Sequence, residues 1–439
     1  MNLIYDIDDK PKFGQLIVFA FQQLLAILAA TIAVPMIIGK GMQPAAALFG
    51  AGVGTLVYVA FTKAKSPVFL GSSFAFLGSM GAAFAGAASV SAGYAGLIIG
   101  AVLAGLVYVI ISAIVKFAGV EWINKLMPAQ VIGPTVAIIG LSLAGNAVGD
   151  LQTADAGGSV YVALICGLVT LFVVCICSVY GKKMGKLIPF IIGIVAGYIV
   201  ALIFTLIGNA TNNDALKVID FSIFAELKVF SVPEFTFLEA AKGVKDIDFT
   251  YIISLIAAYV PVAMVVFAEH IADHKNISSI IGRDLLEEPG LHRTLLGDGV
   301  GSMAGAFFGG CPNTTYGESV ACVAITRNAS VRTIICTALL AIVISFFGPF
   351  VTFLDSIPAC VMGGVCMTLY GFIAVSGLKM VQKVDLNDNR NLFVVSVILI
   401  AGIGGLALTF GKVTITSIAT ALILGIIMNL VLKKKGSAD

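Results

Sequence analysis

The sequence predicts an all-α polytopic membrane protein with about 14 transmembrane segments, arranged as two inverted repeats of seven spans. Three observations lead to this fold class: an apolar composition, a series of apolar runs long enough to span a bilayer, and a short pattern that recurs in two of them. Of the 439 residues, 59% are hydrophobic and 11% are charged, whereas soluble globular domains carry roughly 25% charged residues. The composition therefore excludes a soluble globular domain.

The apolar runs define the predicted spans, because the hydrocarbon core needs about 20 residues of helix. They are residues 14–38, 44–61, 68–91, 93–115, 127–148, 158–179, 187–209, 250–272, 294–309, 312–326, 331–353, 358–378, 391–410 and 415–432. Cytoplasmic loops carry an excess of Lys and Arg. With both termini placed inside, 20 of the 26 Lys and Arg residues fall on the cytoplasmic side and 6 outside. Both termini are therefore expected to be cytoplasmic.

A short pattern recurs in the third and tenth runs. Ser72-Ser73-Phe74-Ala75 and Thr314-Thr315-Tyr316-Gly317 each contain two hydroxyl residues, an aromatic residue and a very small residue. Each run is third in a set of seven, and an odd number of spans gives the two sets opposite orientations. Inverted repeats whose interrupted helices meet at the midplane are a recurrent design of secondary transporters. The pattern predicts a central site built from both halves.

Two carboxylates at membrane depth are the main functional candidates, since a charged group there is costly. Glu318 follows a polar break at residues 311–317, and Glu269 lies deep in the eighth run with His270 beside it. Asp273 is four residues after Glu269, on the same helix face. Desolvation favours the neutral form of such groups, which suits proton uptake and release. The structural alternatives are a helix-end carboxylate facing the cytoplasm for Glu269 and a helix cap for Glu318.

Other polar and aromatic residues at depth have two interpretations each. Gln22 and Gln23 in the first run either bridge helices or line a site. Phe74 and Tyr316 either pack in the interior or stack on a flat ligand. Asp298, in the ninth run, is expected to form hydrogen bonds between helices.

Several chemistries lack their sequence signatures. The chain has neither a GxxxxGK[ST] phosphate loop nor an HExxH metal motif, and its 8 cysteines form no zinc-type pair. We expect no metal, no cofactor, no nucleic acid partner and no enzymatic activity. The most remote alternative is an intramembrane enzyme that uses Asp298 with Glu318.

A family resemblance extends over nearly the whole chain. The motifs that carry it are Glu269-His270, Pro312 to Glu318, Ala324 to Arg327, Leu70 to Phe76 and Asp284 to Arg293. Together they resemble the nucleobase-ascorbate transporter family, and within it the bacterial uracil permease branch. The resemblance implies a secondary transporter of the bacterial plasma (inner) membrane.

The resemblance also implies a division into two domains. The core domain would comprise residues 14–116 and 250–353, and the gate domain residues 127–209 and 358–432. Short strands at Ser72 to Phe74 and Thr314 to Tyr316, in the third and tenth spans, would pair at the midplane. Family members often form homodimers through the gate domain.

Carried over residue by residue, the resemblance implies a nucleobase site. Glu269 and Glu318 would accept hydrogen bonds from ring N–H groups, and backbone N–H groups near Phe74 and Gly317 would donate to carbonyl oxygens. Further candidates for the lining of this site are Ser73, Tyr316, Thr315, Ser319, Gln22 and Gln23.

Proton symport is the usual coupling of the family, and Glu269, Asp273 and His270 are the candidates for it. This chain departs from the family pattern at Asp273, where uracil permeases tend to carry a histidine, and His274 is displaced by one position. The carboxylate beside Glu269 suggests a shared carboxyl pair. Two further departures are Gln22-Gln23 in the first span and Ser319-Val320-Ala321 after the glutamate.

The expected function is therefore import of uracil by proton symport, through movement of core against gate. The alternatives are a xanthine or uric acid permease and an inorganic anion transporter of the same fold type. The anion transporter predicts a basic residue near 69–76 or 312–319, and neither stretch contains one.

Overall fold

The computed structural model describes residues 3–119, 122, 127–182, 184–225, 227–410 and 413–432, which are mostly helical. The α-helices are α1 (Phe13–Ile38), α2 (Pro44–Phe61), α3 (Leu77–Ala85), α4 (Val90–Ala118), α5 (Ala129–Ser142), α6 (Ala144–Leu151), α7 (Val160–Tyr180), α8 (Met184–Leu187), α9 (Pro189–Thr211), α10 (Thr236–Gly243), α11 (Phe249–Ile281), α12 (Leu291–Gly309), α13 (Gly317–Thr326), α14 (Val331–Ile344), α15 (Gly348–Asp355), α16 (Ala359–Val381), α17 (Asn389–Ile403) and α18 (Ser417–Val431). The strands are β1 (Leu70–Ser72), β2 (Asn313–Thr315), β3 (Leu408–Phe410) and β4 (Val413–Ile415). Single 3-10 turns lie at Phe74–Phe76, Asp214–Leu216, Phe221–Phe224 and Val244–Asp246, and an irregular turn lies at Leu286–Gly290.

Within the described residues, 8 helical segments are long and apolar enough to cross a membrane. They are α1, α2, α4, the continuous segment Ala129–Leu151, α7, α9, α11 and α16. Shorter apolar helices occupy Phe74–Ala85, Gly317–Thr326, Val331–Ile344, Asn389–Ile403 and Ser417–Val431. Helix α12 lies in the predicted ninth run. Every predicted run thus contains helix, although several of these helices are shorter than a full span.

The two polar breaks lie side by side because β1 and β2 pair. The strands are antiparallel, with Leu70 opposite Thr315 and Ser72 opposite Asn313. The backbone N–H of Ser73 also donates to the Pro312 carbonyl at 2.9 Å. β1 begins two residues earlier than the resemblance implied, and β2 begins one residue earlier. All six strand residues are buried, and pairing satisfies the backbone groups that lipid could not.

Glycines allow two helices to support this strand pair. A Cβ atom added at Gly54 would lie 2.7 Å from the Gly301 carbonyl oxygen, so α2 and α12 touch backbone to backbone. Asn313, in β2, donates from its side-chain amide to the Gly50 carbonyl oxygen at 3.2 Å. The close approach of α2 and α12 therefore positions β2.

The helices form two groups that face each other across the strand pair. The first helix group consists of α1 to α4 and α11 to α14, and the second consists of α5 to α9 and α16 to α18. In the second group, Gly133 and Gly377 let α5 and α16 approach closely. The first group contains both strands of the pair and the second faces them. The division into core and gate domains stays a prediction.

Candidate functional site

A cavity of about 500 Å³ lies between the two helix groups, at the polar breaks. In the first helix group it is lined by Ala26, Ser73, Phe74, Ala75, Glu269, Ala272, Asp273, Thr314, Thr315, Tyr316, Gly317, Glu318, Ala321, Cys322 and Ile325. In the second group it is lined by Val136, Ile139, Ser178, Lys186, Leu187, Pro189, Phe190, Leu369, Phe372, Ile373, Ser376 and Met380. A polar wall therefore faces a mostly apolar one, as in many small-molecule sites.

Two short helical segments begin on the polar wall and provide backbone donors. The 3-10 turn starts at Phe74 and α13 starts at Gly317, both of which line the cavity. The first N–H groups of a helix have no intrahelical acceptor and carry partial positive charge. Backbone hydrogen-bond donors are therefore available on this wall from both halves of the chain.

Three carboxylates line the same cavity: Glu269, Asp273 and Glu318. Thr315 donates from Oγ1 to Oδ2 of Asp273 at 2.8 Å, which ties β2 to α11. Lys186, which is exposed, is the one cation among the described lining residues. Because like charges at close range disfavour joint ionisation, the three acids favour binding of hydrogen-bond donors or protons.

The two aromatic residues of the breaks have different surroundings. The Tyr316 hydroxyl donates to the Ser72 carbonyl oxygen at 2.7 Å, and its ring packs on Gly71. The Phe74 ring meets Tyr370 of the second helix group edge to face, with centroids 5.9 Å apart. Tyr316 therefore braces β1, whereas Phe74 joins the two helix groups at the cavity.

The structure brings most of the predicted site residues together at the cavity. Those that line it are Glu269, Glu318, Phe74, Gly317, Tyr316, Ser73, Asp273 and Thr315. Those that lie outside the lining are Gln22, Gln23, Ser319 and His270. Gln22, Gln23 and Ser319 therefore do not line this cavity, and a role for them at the site stays a prediction.

Hydrogen bonds hold the side chains of Gln22, Gln23 and Ser319 outside the cavity. Gln23 donates from Nε2 to Oγ of Ser319 at 2.5 Å, and the same Oγ accepts from the backbone N–H of Phe69 at 3.0 Å. Gln22 directs its Nε2 to the sulfur of Met184 at 3.1 Å. Gln23 and Ser319 thus brace the start of β1 from behind the cavity.

His270 lies in a separate buried cluster. Its Nδ1 is 2.7 Å from Oδ2 of Asp298, and its Nε2 is 3.0 Å from Oγ1 of Thr294. Asp298 thereby joins α11 to α12, as expected for a hydrogen bond between helices. The candidate proton-coupling residues therefore separate into Glu269 and Asp273 at the cavity and His270 behind it.

Sequence reasoning missed the second wall of the cavity. Ser178, Ser376 and Phe372 lie in uninterrupted apolar helices, so no local pattern distinguishes them from residues that contact lipid. In the sequence, Lys186 contributes only to the excess of Lys and Arg in the predicted cytoplasmic loops. Its position three residues before Pro189, the first residue of α9, was the only local signal.

A family match accounts for this arrangement. Residues 14–411 match the family model Xan_ur_permease, described as Permease family. The chain belongs to this family. The matched part contains both polar breaks and all the cavity-lining residues given above, so the site belongs to the permease fold and not to a separate region.

Curated relatives of this permease agree with the match. It is 40% identical to the uracil permease of Bacillus caldolyticus over 438 residues, which cover 99% of this chain and 96% of the relative. The uracil permease of Bacillus subtilis (strain 168) is 37% identical, with 98% and 96% covered. That of Escherichia coli (strain K12) is 34% identical, with 97% and 93% covered. The resemblance to the nucleobase-ascorbate transporter family and its uracil permease branch is confirmed.

Solved transporter structures share the fold. The transmembrane domain of the cyanobacterial bicarbonate transporter BicA superposes with a TM-score of 0.65 at 16% identity, covering 97% of this permease and 100% of that chain. The murine anion transporter Slc26a9 in its inward-facing state superposes with a TM-score of 0.67 at 13% identity, covering 97% of this permease and 69% of that chain. At these identities the likeness shows the fold alone. With the apolar helices and the family match, it makes this permease an integral membrane protein.

Proposed function

We propose that this permease imports uracil together with protons across a bacterial inner membrane. The observation that carries the proposal is the composition of the polar wall, where two glutamates lie beside two helix starts. Uracil presents two ring N–H groups and two carbonyl oxygens in alternation around a flat ring. Carboxylate acceptors and backbone donors on one wall complement that edge.

In this scheme, Glu269 and Glu318 accept the ring N–H groups, and the backbone N–H groups of Phe74 and Gly317 donate to the carbonyl oxygens. The Phe74 ring offers a face or edge for stacking. Ser73, Tyr316 and Thr315 complete the wall, as hydroxyl-bearing neighbours. A buried hydrogen-bonding group left without its partner costs about 1–3 kcal/mol, so an analogue with a rearranged edge would be rejected.

The same wall disfavours an inorganic anion as the substrate. Three carboxylates line the cavity, and their charge would repel an anion. Among the lining residues that the structure describes, Lys186 is the one cation, and it is an exposed residue of the opposite wall. A purine is the nearer alternative, since it also carries ring N–H groups. The three relatives named above, at 34–40% identity, are uracil permeases, which favours uracil.

Alternating access is supported by a second cavity of about 380 Å³ between the same two helix groups. It is lined by Leu143 and Asn146, one and two turns beyond the Ile139 that lines the larger cavity, and by Lys40. With the orientation predicted from Lys and Arg, the larger cavity faces the cytoplasm and this one faces outside. Between them lies the contact of Phe74 with the second helix group.

In the proposed architecture the chain has 14 spans, with core and gate domains at the ranges predicted from the sequence and both termini cytoplasmic. The core carries the polar wall and moves against the gate. Glu269 and Asp273, one helical turn apart on the cavity, are proposed to exchange the coupling proton, with His270 behind them. The lipid bilayer surrounds the exposed apolar side chains of α7 and α9, and a homodimer through the gate domain stays a prediction.

The decisive experiment is uptake of labelled uracil into proteoliposomes under an imposed inward proton gradient, with and without sodium. We expect accumulation that depends on the proton gradient, is abolished by a protonophore and is unchanged by sodium. Unlabelled uracil in excess should compete and unlabelled sulfate should not. Uptake that follows sodium would overturn the coupling, and uptake of xanthine in preference to uracil would overturn the substrate.

A further inference from the structure

A chain of buried polar groups runs behind the cavity, through α11. His270, His274 and Asp298 are each at most 1% exposed. The imidazoles of His270 and His274 are stacked, with ring centroids 4.0 Å apart. Buried ionisable groups persist only when they are paired and hydrogen-bonded. This cluster lies outside the cavity lining, so contact with the substrate does not account for it.

The hydrogen bonds of Asp298 and His270 leave room for one additional proton. The Thr294 hydroxyl lies 3.1 Å from the Leu291 carbonyl oxygen. If the hydroxyl donates to that carbonyl, Nε2 of His270 must donate to Thr294, and the pair holds a proton on both sides of the imidazole. If the hydroxyl instead donates to Nε2, only Nδ1 carries hydrogen, and it donates to Oδ2 of Asp298 whether or not Oδ1 carries a proton. A hydroxyl rotation therefore accommodates both protonation states of the imidazole without moving a heavy atom, and Oδ1 of Asp298 is left to take a proton.

Further along the chain of groups, His274 has a defined tautomer. Its Nδ1 lies 2.8 Å from the backbone carbonyl oxygen of His270, which can only accept, so this nitrogen donates. Its Nε2 lies 2.7 Å from the Tyr58 hydroxyl, which is 2.7 Å from Oγ of Ser66. Ser66 follows Lys65, whose ammonium group bonds Asp8 near the surface at 3.2 Å. The polar chain thus reaches from the membrane interior towards the end of the molecule that carries the N-terminal segment.

A small void borders the other oxygen of Asp298. Oδ1 of Asp298 and the hydroxyl of Tyr108 are buried and have no hydrogen-bond partner among the residues that the structure describes. Both residues line a void of about 10 Å³, together with Ser302 and Thr314. That volume is close to the minimum for one water molecule. Thr314 also lines the main cavity, so only one residue of β2 separates the void from the substrate space.

We propose that Asp298 and His270 together form a second proton-binding site, distinct from the carboxylates of the cavity, and that the proton reaches it through a water molecule in the void beside Thr314. This inference rests on the proposed proton symport. A hydronium ion in the void transfers one proton to Oδ1 of Asp298 and leaves a water molecule behind. The acid formed is neutral, and His270 keeps its Nδ1–H bond to Oδ2.

Other titratable groups face this pair from each neighbouring element and set its background field. They are Tyr108 on α4, Tyr58 on α2, Glu318 on α13, and Glu269, Asp273 and His274 on α11 itself. Two stacked imidazoles at this distance repel each other when both are cationic. The histidine pair therefore holds at most one positive charge, and negative charge on the cavity carboxylates favours proton binding at Asp298.

The test measures proton uptake on uracil binding, by titration calorimetry of the full-length purified protein in buffers of different ionisation enthalpy. We expect Asp298→Asn to bind uracil within about threefold of wild type, because it does not line the cavity. Its proton uptake per uracil should fall by at least half. In proteoliposomes it should still exchange labelled for unlabelled uracil, while gradient-driven accumulation falls to near the equilibrium ratio.

Two further variants keep the test decisive. Asp150→Asn, a half-buried carboxylate of the second helix group outside both cavities, is the matched control and should change neither quantity. Should Asp298→Asn fail to fold, His270→Gln takes its place with the same expected result. Unchanged proton uptake and accumulation in a folded variant would overturn the inference. If the wild-type protein does not bind uracil, the proposed function fails first. Asp298 is then tested without substrate, by comparing the protons released during acid–base titration of the wild-type protein and of Asp298→Asn.

Discussion

Replacing Glu318 by Gln tests the polar wall most directly. The residue lies in the first turn of α13 and lines the cavity, so the shape of the side chain is kept while one carboxylate oxygen becomes an amide nitrogen. The amide loses the charge and presents a donor where the ring N–H of uracil needs an acceptor. A hydrogen bond to a charged group contributes about 1.5–3 kcal/mol. The expected loss in uracil affinity is therefore roughly 10- to 150-fold.

The assay is direct binding of labelled uracil to purified protein, followed by uptake in cells that express comparable amounts at the membrane. At substrate concentrations near the wild-type dissociation constant, Glu318→Gln should show almost no uptake. Glu287→Gln, an exposed carboxylate in the turn before α12, is the matched control and should behave as wild type. Normal uptake by Glu318→Gln would refute the assignment of this carboxylate to the substrate.

The remaining predictions address the second acid, the support of the wall, the helix contact and the choice of substrate. Glu269→Gln should likewise abolish uptake while the protein still reaches the membrane, as shown by quantitative surface detection. Thr315→Val removes the 2.8 Å hydrogen bond to Asp273 and should lower the free energy of unfolding by about 1–3 kcal/mol, measured by thermal denaturation in detergent. Gly54→Ala places a methyl group 2.7 Å from the Gly301 oxygen and should destabilise by a similar amount. Gly81→Ala, whose added methyl group has no atom of the described residues within 4 Å, should not. A 100-fold excess of xanthine should leave labelled uracil uptake unchanged, and strong competition would favour the purine alternative.

The agreement between sequence and structure is closest where a single residue is costly in lipid. Glu269 and Glu318 stand out because carboxylates at membrane depth need a reason to be there. Asp273 follows from helix periodicity, since a residue four positions later lies on the same face. The pairing of the breaks was implied by the recurring pattern and the family resemblance. The strand limits at Leu70 and Asn313 depend on backbone hydrogen bonds, which periodicity does not report.

Polar residues that support the site were harder to assign than those that line it. Gln23 and Ser319 have polar side chains typical of a binding site, yet they form a hydrogen bond to each other at a separation of 296 residues in the sequence. No pattern in one sequence relates two such distant positions. His270 similarly belongs to Asp298 and Thr294, because α11 and α12 pack so that its ring faces away from the cavity.

The sequence by itself determined that this chain crosses a membrane, that two polar breaks interrupt it at matching positions, and that two acids lie beside them. Those conclusions follow from transfer energies and local periodicity, which are properties of neighbouring residues. Only the tertiary structure decided which polar groups share a cavity, which brace it from behind, and which apolar helices form its second wall. These assignments depend on the packing of helices distant in sequence, where glycine contacts set how closely the backbones approach.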